Sequence, residues 1–87
     1  MALADDFAAA QVAVKQLTKS PATDELLDLY ALYKQATVGD VQGKRPEVLD
    51  FKGRAKFDAW TKRKGTGKDD AMTAYGALVA KLAGKYR

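Results

Sequence analysis

With 87 residues the chain has room for one hydrophobic core, so a single domain spanning 1–87 is expected. Hydrophobic residues make up 47% and charged residues 30%, a globular balance; the absence of Cys and His removes disulfides, thiol nucleophiles, Cys or His metal sites and imidazole acid–base chemistry. The net charge of +4 is uneven: residues 1–40 carry −3, whereas residues 44–68 hold nine Lys and Arg against three acids, a net +6 that fits either a local anion site or a solvated lysine-rich surface.

Asp5 or Asp6 can cap a first helix in which Phe7, Ala10, Val14 and Leu17 recur at steps of three and four. Ser20, Pro21 and Ala22 interrupt it. Thr23, Asp24 and Glu25 then supply a cap and acids for the positive end of a second helix. Leu26, Leu27, Leu29, Tyr30, Leu32 and Tyr33 make that helix apolar around most of its circumference, more than one core contact requires. Gly39 suits a left-handed stop, and Asp40 to Leu49, with Gly43 and Pro46, reads as a long connection.

Asp50 can cap a third helix running to about Lys64, where Gly65 ends it, although Gly53 is a poor helix former. From Lys68 onward Ala71 or Met72, Tyr75, Leu78, Val79, Leu82 and Tyr86 keep helical spacing, with Asp69 and Asp70 in the first turn and Lys85 in the last. No stretch alternates apolar and polar over strand length. An all-α bundle of four helices around one core is therefore expected, with Phe7, Val14, Leu26, Leu29, Trp60, Val79 and Leu82 inside.

Two groups of side chains can carry chemistry. On the second helix Leu27, Tyr30 and Lys34 fall at i, i+3 and i+7, placing an aromatic ring one turn from an ammonium, which suits an aromatic base beside a phosphate. A tyrosine stripe at this spacing equally suits a core. On the third helix Lys52 and Lys56 lie at i and i+4 and can grip one anion, or simply solvate a face.

Other motifs lead nowhere. Gly65-Thr66-Gly67-Lys68 lacks the flanking residues of a phosphate-binding loop, and the adjacent pairs Asp5-Asp6 and Asp69-Asp70 diverge on a helix, so neither seats a metal. Ser20 is the only serine and has no evident base, so no enzyme is expected. No apolar run reaches membrane-spanning length and the first residues carry acid where a secretory signal carries base, so a cytoplasmic protein is expected.

The run Tyr30-Ala31-Leu32-Tyr33-Lys34-Gln35-Ala36-Thr37-Val38-Gly39-Asp40, followed by Arg45-Pro46, Leu49-Asp50-Phe51-Lys52-Gly53-Arg54-Ala55-Lys56 and Asp58-Ala59-Trp60, resembles the acyl-CoA-binding protein family. The resemblance extends from Phe7 to Tyr86 and implies a four-helix, up-down-down-up bundle whose long connection joins two parallel middle helices. It implies Tyr30 under an adenine ring, Tyr33, Lys34 and Lys56 around a ribose 3′-phosphate, Lys15 and Lys52 near the phosphates, Tyr75 on the nucleotide and Leu27 along the acyl chain. Phe57, Gln11 and Gly67 depart from the family's usual Trp, small residue and Ser.

The implied function is a monomeric carrier of long-chain acyl-CoA, bound as ligand with no cofactor, in transient contact with membranes or acyl-CoA-using enzymes. A small basic helical domain that binds nucleic acid is the alternative. Specific DNA readers gather their cations along one recognition helix, whereas Lys15, Lys34 and Lys56 belong to three, so no nucleic-acid partner is expected.

Overall fold

Four of the apolar periods close into helices in the computed structural model, which describes residues 2–86: α1 (Leu3–Lys15), α2 (Thr23–Thr37), α3 (Phe51–Thr61) and α4 (Lys68–Lys85). No strand occurs among the described residues. Helix ends follow local chemistry. The amides of Asp5 and Asp6 both bond the Ala2 carbonyl, so α1 starts at Leu3 and its two acids occupy the first turn instead of capping it. Ala22, not Thr23, flanks α2, and Glu25 reaches back to accept from the Ala22 amide at 2.9 Å.

Asp50 caps α3 as expected, its Oδ1 accepting from the Gly53 amide at 2.9 Å. A Cβ on Gly53 would lie 2.3 Å from the Asp50 carboxylate, so the glycine that weakens the helix by propensity is what lets the cap close over it. α3 ends at Thr61, short of Lys64, and hydrogen-bonded turns carry the chain through Gly65, at φ +90°, into α4. Gly39, at φ +100°, stops α2.

Paired side chains give the directions of the helices. Phe7 meets Tyr75 and Thr18 bonds the Tyr86 carbonyl, so α1 and α4 run parallel. Lys85 and Tyr86 reach Glu25 while Thr66, just before α4, receives Gln35, so α2 runs antiparallel to α4. Lys56 lies over Tyr30 and Lys34 over Trp60, steps of four in the same sense, so α2 and α3 are parallel. The topology is up-down-down-up. Helix packing joins α1 to α4, α4 to α2 and α2 to α3.

The core lies between α1, α2 and α4: Phe7, Ala10, Leu29, Leu32, Ala36, Ala71, Tyr75, Val79 and Leu82, with Val14 half-buried against it. Leu26 is a correction. It is 45% exposed, because α4 receives the Leu29 and Leu32 side of α2 while Leu26 turns toward the seam with α3. Trp60 is buried away from that core, its indole N–H donating to the Gly39 carbonyl at 2.8 Å. Beside it, buried Gln35 donates to Asp40 Oδ1 and to the Thr66 carbonyl, and Asp40 Oδ1 also accepts from the Gly65 amide at 2.8 Å. Three chain segments are thereby fastened at the C-terminal end of α2.

At the opposite end Glu25 accepts from Tyr86, from the Ala22 amide and from Lys85, and these bonds, Tyr86 foremost, hold its carboxyl down from 4.5 to about 2. A carboxyl lowered on folding stabilises above its unfolded value and loses that contribution as pH falls through the folded one. Between pH 4.5 and 2 the melting-temperature difference between wild type and Glu25→Gln should therefore shrink in thermal melts. A difference unchanged across that window would mean that the ionised carboxylate stabilises nothing.

Candidate functional site

The seam between α2 and α3 holds a cavity of about 290 Å³. Thr23, Leu26, Leu27 and Tyr30 line it from α2, and Lys52, Ala55 and Lys56 from α3. The parallel arrangement explains the set, since Leu26, Leu27 and Tyr30 occupy adjoining positions on one side of α2, facing a one-turn run of α3 in which small Ala55 leaves room. The walls are mainly carbon, and two ammonium groups stand at the rim. Lys56 Nζ sits 5.4 Å from the Tyr30 ring centroid, a cation held over an aromatic face.

A second hollow, of about 260 Å³, shares Leu27 and Ala55 and lies on the other side of the seam. Its remaining lining residues are Asp24, Asp28, Asp58, Ala59 and Lys62. Arg45 makes a two-pronged bond to Asp58, which lowers that carboxyl's pKa chiefly through the hydrogen bond, and Arg63 stands 3.7 Å from Asp28. The first side thus carries two cations and no carboxylate, whereas on the other Lys62, Arg45 and Arg63 balance the three carboxylates. An apolar molecule with an anionic end fits the Lys52 and Lys56 side.

Of the residues singled out in the sequence, Leu27, Tyr30, Lys52 and Lys56 meet at the first cavity. Lys34 lies one turn beyond Tyr30, its Nζ 5.0 Å from the Trp60 ring centroid. Tyr33 is 39% exposed and stacks on Phe7 with centroids 6.0 Å apart. Tyr75 is buried, edge-on to Phe7 at 5.1 Å, and burial followed by nearby Tyr33 pushes its phenol pKa up. Lys15 ends α1, exposed, and lines neither cavity. Thr23, Leu26 and Ala55 complete the cavity without having been singled out. The surplus apolar circumference of α2 was the available signal for Leu26; Thr23 was read only for the start of a helix and Ala55 only as part of the family-like run.

Among the described residues no group of His, Cys, Asp or Glu could hold a metal ion, and no helix is long and apolar enough to cross a membrane. The family described as acyl CoA binding protein matches residues 4–79. The acyl-CoA-binding protein homolog 1 of Caenorhabditis elegans is 55% identical over 86 residues, covering 99% of this chain and 98% of that one. The homolog of Drosophila melanogaster is 48% identical over 84 residues, covering 97% and 98%. The crystal structure of Oryza sativa acyl-CoA-binding protein 2 superposes with a TM-score of 0.92 at 37% identity, covering 97% of this chain and 93% of that one. The solution structure of the yeast acyl coenzyme A binding protein gives 0.72 at 49% identity, covering 92% and 93%.

Proposed function

Because the chain belongs to the acyl-CoA-binding protein family, we propose that it is a single-domain, monomeric, cytoplasmic carrier that binds long-chain acyl-CoA without transforming it. It holds the ester for lipid-metabolising enzymes and membranes. The observation that carries this reading is the apolar cavity on the α2–α3 seam with Lys52 and Lys56 at its rim. Leu26, Leu27 and Ala55 face the hydrocarbon, and each buried methylene contributes up to about 0.8 kcal/mol before ordering costs. Tyr30 offers its ring to the adenine, and Lys56, already over that ring, brings a cation to the phosphates. Lys34, Tyr33, Lys15 and Tyr75 serve the nucleotide from positions outside the cavity.

Tail and head contribute differently. Hydrocarbon burial sets affinity with chain length, whereas the phosphate attraction, partly screened by salt, selects the CoA ester over a free fatty acid. Titration calorimetry against palmitoyl-CoA, free CoA, palmitate and an oligonucleotide tests this reading: only palmitoyl-CoA should bind tightly. Tight oligonucleotide binding would turn the basic segment into a nucleic-acid surface and overturn it.

Lys56→Ala and Lys34→Ala should each weaken palmitoyl-CoA binding. Lys34→Ala should also cost about 0.5–1 kcal/mol of stability, because its ammonium lies over Trp60. Calorimetry with the 3′-dephospho analogue separates the phosphates: wild type should bind it more weakly, and each variant should show a smaller difference between the two ligands. Equal wild-type affinity for both would remove the 3′-phosphate from these lysines.

A further inference from the structure

Val48, Leu49 and Phe51 are 64%, 84% and 74% exposed, three large apolar side chains within four residues. Elsewhere the exposed large hydrophobics are scattered along helices or at a helix end, as on most proteins. None of the three lines either cavity. Phe51 opens α3, one turn before Ala55, at the end of the seam where Leu26 is also exposed. Of the polar groups around the cluster, Asp50 caps α3, Arg54 donates to the Pro46 carbonyl at 2.9 Å and Arg45 holds Asp58, while Glu47 is an exposed acid whose single charge is outnumbered by the two lysines that follow. Lys44 and Lys52 remain exposed, and among the described residues neither has an ion-pair partner.

We propose that the tip formed by Val48, Leu49 and Phe51 is an insertion surface for an anionic lipid bilayer, with Lys44 and Lys52 on the headgroups. Charge complementarity and size both point to this occupant. Three side chains on a short connection fall well short of the roughly 800 Å² per partner that a stable protein interface buries. A bilayer interface requires no matching shape and takes up amphipathic protrusions through apolar burial plus attraction of Lys to anionic lipid, about fivefold in affinity per lysine. This deepens the carrier reading by naming the face for its membrane contact. It needs no bound ligand, so vesicle binding and acyl-CoA binding fail separately.

The test is co-flotation of the ligand-free full chain with vesicles of phosphatidylcholine alone or mixed with phosphatidylserine. Wild type should float with the mixed vesicles, less at raised salt and less with phosphatidylcholine alone. The Leu49→Ser, Phe51→Ser double variant should lose roughly tenfold or more of that binding, while its palmitoyl-CoA affinity by calorimetry stays within about twofold of wild type. Phe51→Trp, which keeps the bulk, should gain blue-shifted emission that brominated acyl chains quench. Wild type that does not float, or a double variant that floats equally well, overturns the proposal. So does a double variant that loses palmitoyl-CoA affinity but not vesicle binding, which would give these side chains to the ligand. A concentration-dependent dimer abolished by the double substitution would give them to a second copy and overturn it as well.

Discussion

Replacing Tyr30 by Ala is expected to weaken palmitoyl-CoA binding by about 1–3 kcal/mol, roughly five- to 150-fold, while leaving the fold nearly as stable as before. The physical basis is the position of the ring. Tyr30 is half-buried on a cavity wall that opens to solvent, with its face toward Lys56 and away from the aliphatic core. Truncation enlarges an open hollow and removes one cation–π contact, a cost of about 0.5–1 kcal/mol. A tyrosine sealed in the core would cost about 3–5 kcal/mol when cut to Ala. Denaturant melts and calorimetry on this variant separate the two cases. A large stability loss with unchanged affinity would deprive the adenine of its platform.

Leu82→Ala should give the converse result. Leu82 has no exposed surface and packs where α1, α2 and α4 meet, so its removal leaves a cavity in the interior and should destabilise by about 2–5 kcal/mol. In a domain of this size each kcal/mol lowers the melting temperature by about 4–8 °C. It lines neither cavity on the α2–α3 seam, so the folded variant should bind palmitoyl-CoA as wild type does. Reduced affinity in fully folded protein would show that the core and the seam are not mechanically separate.

Much of this arrangement was legible in the sequence because local chemistry decided it. The Asp50 cap, the stop at Gly39 and the acids and lysines in the end turns of α1 and α4 act within a turn of the chain, and the structure uses them, although Asp5 and Asp6 do not cap α1 and α3 ends at Thr61, before Gly65. Lys52 and Lys56 share a face because of their i, i+4 spacing, but that this face meets Tyr30 follows from the parallel packing of α3 on α2, which only the family resemblance implied. Leu26 was not legible. Apolar side chains surround most of α2, and their periodicity is consistent with either leucine face being the buried one. Tertiary packing decides it, since α4 takes Leu29 and Leu32 while α3 covers the opposite flank only in part. Spacing put Tyr75 on the apolar stripe of α4, but its edge-on contact with Phe7, 68 positions away, is tertiary and not revealed by spacing.

The attachment of α3 to a single helix has a dynamic consequence. α1, α2 and α4 share one interior, whereas α3 is held by its packing on α2, by the Trp60 indole on Gly39 and by the Arg45 and Arg54 bonds to its flanking connection. Local opening is cheapest where buried apolar contact is least, so α3 should swing or melt as a unit while the other three helices stay folded. The seam would then widen without unfolding the protein. A long hydrocarbon could enter sideways along its whole length instead of threading through a mouth, and once seated against both walls it would fasten α3 down.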